Sequence, residues 1–306
     1  MAFEFKRKES VRKAVKRFGC QQIEQALADL KHCHRLEAVH KIRKKIKALR
    51  ALLRLVRDAV PRSDYRACCK GLREAADLLS GARDAHVKVN ALACLIGRFR
   101  SELGPRPFRE THSLLAADCR EQQAALSRSR APAKVERVLR KLRGMFASLD
   151  LKRSGWRALG PGIRHAYRDG RRGFRLARTK GIPENFHEWR KRAKDLFYQI
   201  ELLCPIWPEQ MEAVRTELKQ LGQLLGDDHD LFLLSEPETA KRFRKRAPAE
   251  AEALEALVAE QQRDLRQKAL ALGARFYHEK PDSFCKRLAH YWKRWRTEPK
   301  WDATKP

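Results

Sequence analysis

The 306 residues include 68 lysines and arginines against 38 acids, a formal net charge of +30 and a pI near 10.3. With 43% hydrophobic residues the chain can build a core, so it is not a basic disordered tail, and its charge points to polyanions: nucleic acid, an anionic membrane surface or another polymer. No apolar run approaches the ~20 residues that cross a bilayer. MAFEFKRKES lacks the apolar stretch of a secretory leader, and the eight cysteines contain no C-x-x-C pair, which reads as reduced, mostly buried thiols in a cytoplasmic protein.

Helical periodicity runs through almost every segment, and nothing reads as strand. In chain order, helices are predicted over 8–31, 36–59, 63–80, 83–102, 108–128, 133–148, 162–179, 184–204, 208–225, 249–272 and 281–296. Prolines fall at or beside the junctions, where the missing N–H and the ring clash do least harm. The stretch LDLKRSGWRALGPG, with Gly155, Gly160, Pro161 and Gly162 as breakers, is read as the connection between two halves, 1–150 and 151–306, of one domain.

The halves carry a repeat. VHKIRKKIKALRALLRLV (39–56) aligns with FHEWRKRAKDLFYQIELL (186–203). His40 meets His187, Arg43 meets Arg190, Lys44 meets Lys191 and Lys47 meets Lys194. The apolar positions agree as well, Val39, Ile42, Ile46, Leu49, Leu53 and Val56 against Phe186, Trp189, Ala193, Leu196, Ile200 and Leu203. A trailing element follows each copy at nearly the same spacing, DLLSGARDAHVKV (77–89) and QLLGDDHDLFLL (223–234), so that Arg83-Asp84 meets His229-Asp230.

On a helical wheel, His40, Arg43, Lys44, Lys47, Arg50 and Arg54 centre roughly 100° from the apolar stripe. The cations therefore border the core. In the second copy His187, Arg190, Lys191 and Lys194 take the same place, while Phe197, Tyr198 and Glu201 replace cations further along. If the halves pack face to face, these stripes line a shared basic cleft. The alternatives are a solvated charged face and two packed core histidines. Neighbouring cations should depress the imidazole pKa, leaving a neutral N–H donor for an anionic oxygen.

These motifs, V-H-x-x-R-K-x-x-K-x-L-R at 39–50, F-H-E-W-R-K-R-A-K at 186–194 and the trailing L-L-S-G-A-R-D and L-L-G-D-D-H-D, resemble the CHAD domain, the conserved histidine α-helical domain. IRHAYRDGRRGFRLAR (163–178) is similar to the helix before the second histidine in that family. The resemblance implies an all-α fold of two four-helix-bundle halves related by a pseudo-twofold around a basic cavity. It implies non-catalytic binding of inorganic polyphosphate, association with polyphosphate granules, and no cofactor. It assigns the ligand to His40, Arg43, Lys44, Lys47, Arg50, Arg54, Arg83, Arg168, Arg171, Arg172, His187, Arg190, Lys191 and Lys194. Lys41 and His229 depart from the family pattern, which has an acid or amide at the first position and an arginine at the second.

Two rival readings compete. Charge alone supports weak, salt-sensitive nucleic-acid binding, but no RNP-like motif, zinc finger or recognition helix is present, and the aromatic residues lie in apolar stripes. DDHD (227–230) suggests metal-assisted phosphohydrolysis, yet Asp227 or Asp228 could simply cap a helix start, and Asp84 and Asp230 could orient a nearby cation. AFEFK (2–6) lacks the first glutamate of the ExExK signature of tunnel-fold triphosphate hydrolases. No metal site is expected. No helix combines exposed tryptophan or phenylalanine with lysine as a membrane-surface helix does.

Overall fold

The computed structural model describes residues 4–297, and these form twelve α-helices with no strand among them. The helices are α1 Val11–Leu30, α2 Leu36–Leu55, α3 Arg62–Asp77, α4 Ser80–Arg98, α5 Arg109–Arg128, α6 Ala131–Ser148, α7 Gly155–Lys180, α8 Pro183–Leu203, α9 Pro208–Leu234, α10 Pro237–Arg246, α11 Pro248–Phe276 and α12 Pro281–Thr297. Local chemistry explains many ends. The Ser10 side chain accepts from the Lys13 amide at the start of α1. Proline opens α8, α9, α10, α11 and α12, where its fixed φ suits the first turn. Gly181 closes α7 at φ 64°, the left-handed cap.

Every member of the two aligned apolar stripes is buried in one continuous core. That burial decides whether the cationic helix forms. A buried leucine or isoleucine contributes about 1.5–3 kcal/mol, whereas a like-charge pair three or four residues apart costs roughly 0.2–0.5 kcal/mol. Ile42, Ile46, Leu49, Leu52 and Leu53 together outweigh the repulsion on α2.

Helices α1, α2, α3 and α6 pack together, as do α7, α8, α9 and α11, with α12 lying against α7. The hairpin of α4 and α5 crosses over to build a second core with α9, α10 and α11, through Leu92, Leu95, Phe99, Leu115, Leu231 and Leu254. Between the two groups α2 packs on α8 and α4 on α9. Since α2 also touches α4 and α8 touches α9, the four helices bearing the aligned elements close a ring.

Most predicted ends fall within four residues of the observed ones, and three larger differences stand out. From Gly155 on, the stretch taken as a connection is the start of α7, which carries Pro161 inside. Gly162 is a close-approach point rather than a break: a Cβ there would lie 2.0 Å from the Leu55 carbonyl oxygen, so only glycine lets α7 settle on the end of α2. Helix α9 continues to Leu234, because Leu231 and Leu234 have the second core to bury in. DDHD therefore lies inside a helix, and neither Asp227 nor Asp228 caps a start. Helix α10 was not anticipated; its KRFRKR segment folds because Phe243 reaches that same core and Ala240 is buried. All eight cysteines are free thiols, but only Cys68 and Cys119 are buried and Cys94 is exposed.

Candidate functional site

The ring of four helices sets the site. Helix α2 supplies His40, Arg43, Lys44 and Lys47; α8 supplies His187, Arg190, Lys191 and Lys194; α4 supplies Arg83 and α9 supplies His229. Lys47 stands at the centre, facing Arg43 on its own helix, Arg83 on α4, and Arg190 and Lys194 on α8. Its side chain is exposed to water yet crowded by protein, which defines a recess. This crowding, reinforced by those four cations, brings its pKa down to about 7. Burial and then Arg190 and Lys44 lower that of Lys194.

Two glycines make the room. A Cβ on Gly222 of α9 would lie 3.1 Å from the Lys194 Cε and Nζ, and one on Gly226 would lie 3.7 Å from the Arg190 Nε. Glycine inside a helix costs about 1 kcal/mol relative to alanine, and here it leaves space for two cationic side chains.

Few of the cations are neutralised within the protein. Among the described residues Lys44, Lys47, Arg83 and Lys194 form no ion pair, and Arg190 keeps a buried Nε without a hydrogen-bond partner. Lys194 lies 5.8 Å from the centroid of the Phe197 ring. Arg43 donates to the Ala76 carbonyl at 2.6 Å, and Lys191 pairs loosely with Glu188 at 3.4 Å. Asp84 and Asp230 do face this cluster, but burial raises both carboxyls despite the cations around them. For Asp230 those cations are Arg190, Arg83 and Lys47.

The histidines are neutral at physiological pH. Burial, then Lys191 and Arg190, lowers His187 to about 4, and burial, then Arg190 and His187, lowers His229 to about 3. His40 is lowered too, by burial and then Arg83. The Nδ1 atoms of His187 and His229 are 3.0 Å apart. One neutral ring must donate Nδ1–H to the other, which leaves the pair one Nε2–H donor and one Nε2 acceptor.

Sequence reasoning treated His229 as a departure from pattern and passed over His86. Both belong to this cluster, since His86 adds to the charge felt by His40 and is itself lowered by burial and by Arg83. The only available signal was spacing: His86 stands one turn after Arg83 on α4.

Other predicted site residues lie elsewhere. Arg54 is two turns beyond Lys47, about 10 Å along the axis, and is paired with the buried Asp195 of α8. Arg50 sits beside that pair. On α7, Arg168 pairs with Asp169 at 3.4 Å, Arg171 donates to the Tyr277 carbonyl at 3.0 Å, and Arg172 is exposed. Trp189 of α8 packs on Gly173 of α7, while Arg190 and Lys194 of α8 point at α9. Helix α8 thus separates the recess from those arginines.

The members of DDHD go four ways. Asp227 accepts from Gln223 at 2.7 Å, Asp228 is buried against Arg266 of α11 at 2.6 Å, His229 meets His187, and Asp230 faces the recess. Among the described residues no three histidine, cysteine, aspartate or glutamate side chains are placed to hold a metal ion together. The late basic runs serve the outer surface: Arg242 pairs with Asp118, Arg244 with Glu255, and Arg296 donates to the carbonyls of Arg7 and Glu9. None of the described helices is long and apolar enough to cross a membrane.

An all-helical fold closing α2, α4, α8 and α9 around a histidine- and cation-lined recess matches one family. The CHAD domain profile covers residues 17–237. The chain belongs to the CHAD domain family. Two solved structures share its fold. The first is PptA from Streptomyces chartreusis, 15% identical, with a TM-score of 0.62 over 89% of this chain and 100% of that one. The second is the CHAD domain from the plant Ricinus communis, 16% identical, with a TM-score of 0.64 over 91% of this chain and 95% of that one. Among curated proteins, no sequence matches.

Proposed function

We propose that this protein binds inorganic polyphosphate in the recess between α2, α4, α8 and α9 and holds the polymer without cleaving it, so that it associates with polyphosphate granules in the cytoplasm. One observation carries the reading. Lys47, Arg83, Arg190 and Lys194 converge from three helices while leaving their charge without a carboxylate partner at ion-pair distance. Such a cluster is held together against its own repulsion by the surrounding core, and a chain of phosphates relieves that repulsion.

The ligand chemistry fits the side chains. Polyphosphate has charge on every unit and no bases, so it calls for forked arginine donors and compact lysine charges rather than stacking platforms. The neutral histidines add a directional Nε2–H donor without adding to the repulsion of the free state. Beside the recess Asp227 and Asp228 are engaged by Gln223 and Arg266, while Asp84 and Asp230 are half-buried among cations, and the residues about it suit holding an anion rather than activating water.

The test is competition at about physiological ionic strength, where the screening length is ~8 Å. Labelled long-chain polyphosphate is displaced by unlabelled polyphosphate, RNA or duplex DNA at matched phosphate concentration. Wild type is run beside His40→Ala/Arg43→Ala/His187→Ala/Arg190→Ala. Polyphosphate should compete far better than either nucleic acid, and the variant should lose the preference. Equal competition by all three, unchanged in the variant, would mean that +30 acts only as a diffuse surface charge.

A further inference from the structure

Helix α7 has an outward face made only of arginine. From 164 to 178, the residues within about 60° of its exposed meridian are Arg164, Arg168, Arg171, Arg172, Arg175 and Arg178, at 100° per residue. Five are exposed and Arg171 is half-buried. No acid interrupts them, since Asp169 stands to one side on the wheel. A solvated helix face ordinarily mixes signs to exploit pairs three and four residues apart; this one sets like charges at those spacings.

The protein does little to neutralise the row. Arg164 reaches the exposed Asp282 of α12 at 3.2 Å, Arg168 has its neighbour Asp169 at 3.4 Å, and Arg171 is held through Nε by a carbonyl. Arg178 lies 5.4 Å from the Phe174 ring centroid. Arg172 and Arg175 have no ion pair or hydrogen bond among the described residues. This row and the recess are on opposite sides of α8, so they are two sites.

We propose that the arginine face of α7 is a second polyphosphate track, which seats a further stretch of a chain already held in the recess. The inference rests on the polyphosphate reading and extends it from one site to two. Three features favour this ligand. The row is a single file about 21 Å long, at 1.5 Å per residue, and suits a single file of phosphates. A duplex instead presents two strands separated by grooves about 6 and 12 Å wide, and calls for cations on two flanks. The aromatic side chains of the row's own helix stretch, Tyr167 and Phe174, are buried, so unpaired bases find no platform there. The all-arginine composition gives each position a fork for phosphate oxygens.

The consequence is length dependence. An oligophosphate fits the recess alone. A long chain passes α7 and α8, helices each about 10–12 Å across, and engages both sites, with the polymer as its own linker.

The experiment measures equilibrium binding of a labelled oligophosphate and a labelled long polyphosphate to the full chain. Arg164→Gln/Arg175→Gln/Arg178→Gln is compared with wild type and with Lys134→Gln/Arg137→Gln/Lys141→Gln, which removes the same charge from an exposed row on α6. The α7 variant should bind the long chain at least about 100-fold more weakly, the low end of a two-site gain, and keep its oligophosphate affinity; the α6 variant should resemble wild type in both. Equal weakening by the two variants would overturn the proposal in favour of diffuse charge. So would an α7 variant that loses long RNA but keeps long polyphosphate. If wild type fails to bind the oligophosphate while the α7 variant alone loses the long chain, the recess reading falls and the track stands.

Discussion

Helices α2 and α7 are the two most cationic stretches near the centre of this molecule, with seven and eight lysines and arginines, and each contains one acid. They differ in where the charge goes. On α2 it borders the buried stripe, so packing against α4 and α8 turns it inward to meet other cations. On α7 the arginines oppose the buried face and stay in water. Charge that converges in a crowded recess changes its own chemistry, as the depressed pKa of Lys47 records. Charge spread along a hydrated row acts through length. Composition cannot separate the two cases; the angle between the basic and apolar stripes does.

The largest effect should come from the convergent cluster. Lys47→Gln/Lys194→Gln should weaken polyphosphate binding at least ~100-fold, given about 1.5 kcal/mol or more for each charged hydrogen bond lost. The free variant should melt no lower than wild type, because mutual repulsion leaves with the charges. A variant that melts lower and binds normally would make these lysines structural.

Proton linkage gives an intermediate effect. In the unfolded chain Lys47 keeps its proton up to its ordinary 10.5, whereas in the free folded protein it loses it near 7. Between those values the unfolded state binds more protons, so the stability of the free protein rises with pH across that window. A bound polyanion restores the proton, so binding takes one up there and polyphosphate affinity falls from pH 7 to 9. Lys47→Arg, which stays charged, should flatten that fall. An equally steep profile in the Lys47→Arg protein would assign the titration to another group.

The smallest expected change sharpens the geometry. In Gly222→Ala the new methyl crowds the flexible end of Lys194. Affinity should drop about threefold, a displaced rather than deleted ammonium, while helix propensity offers up to ~1 kcal/mol of added stability. Calorimetric melting and binding on the same variant would show the two moving in opposite directions. A stability loss would mean that Lys194 cannot give way.

The apolar spacing of three and four made the helices legible, and so did the proline punctuation. The histidine-arginine-lysine pattern, with its trailing element, made nine recess residues nameable in advance, while His229 read only as a departure from the pattern. What was not legible follows from packing. Pro161 and three glycines looked like a break because local propensity disfavours helix there. The close approach at Gly162, visible only once α7 lies on α2, reverses that reading. Arg54 looked like a ligand because it continues the stripe, but Asp195 comes from a helix distant in sequence and engages it. His86 had one turn of spacing to recommend it and no counterpart in the second copy.

By itself the sequence determined that this chain is helical, strongly basic, and marked twice by the same histidine and cation pattern, since periodicity and charge are local properties. Only the tertiary structure decided which cations share a recess, which are paired off, and which line an outer face. Those outcomes depend on residues far apart in the chain coming within a few ångströms, where desolvation and Coulomb repulsion become strong enough to set a lysine near neutral pH.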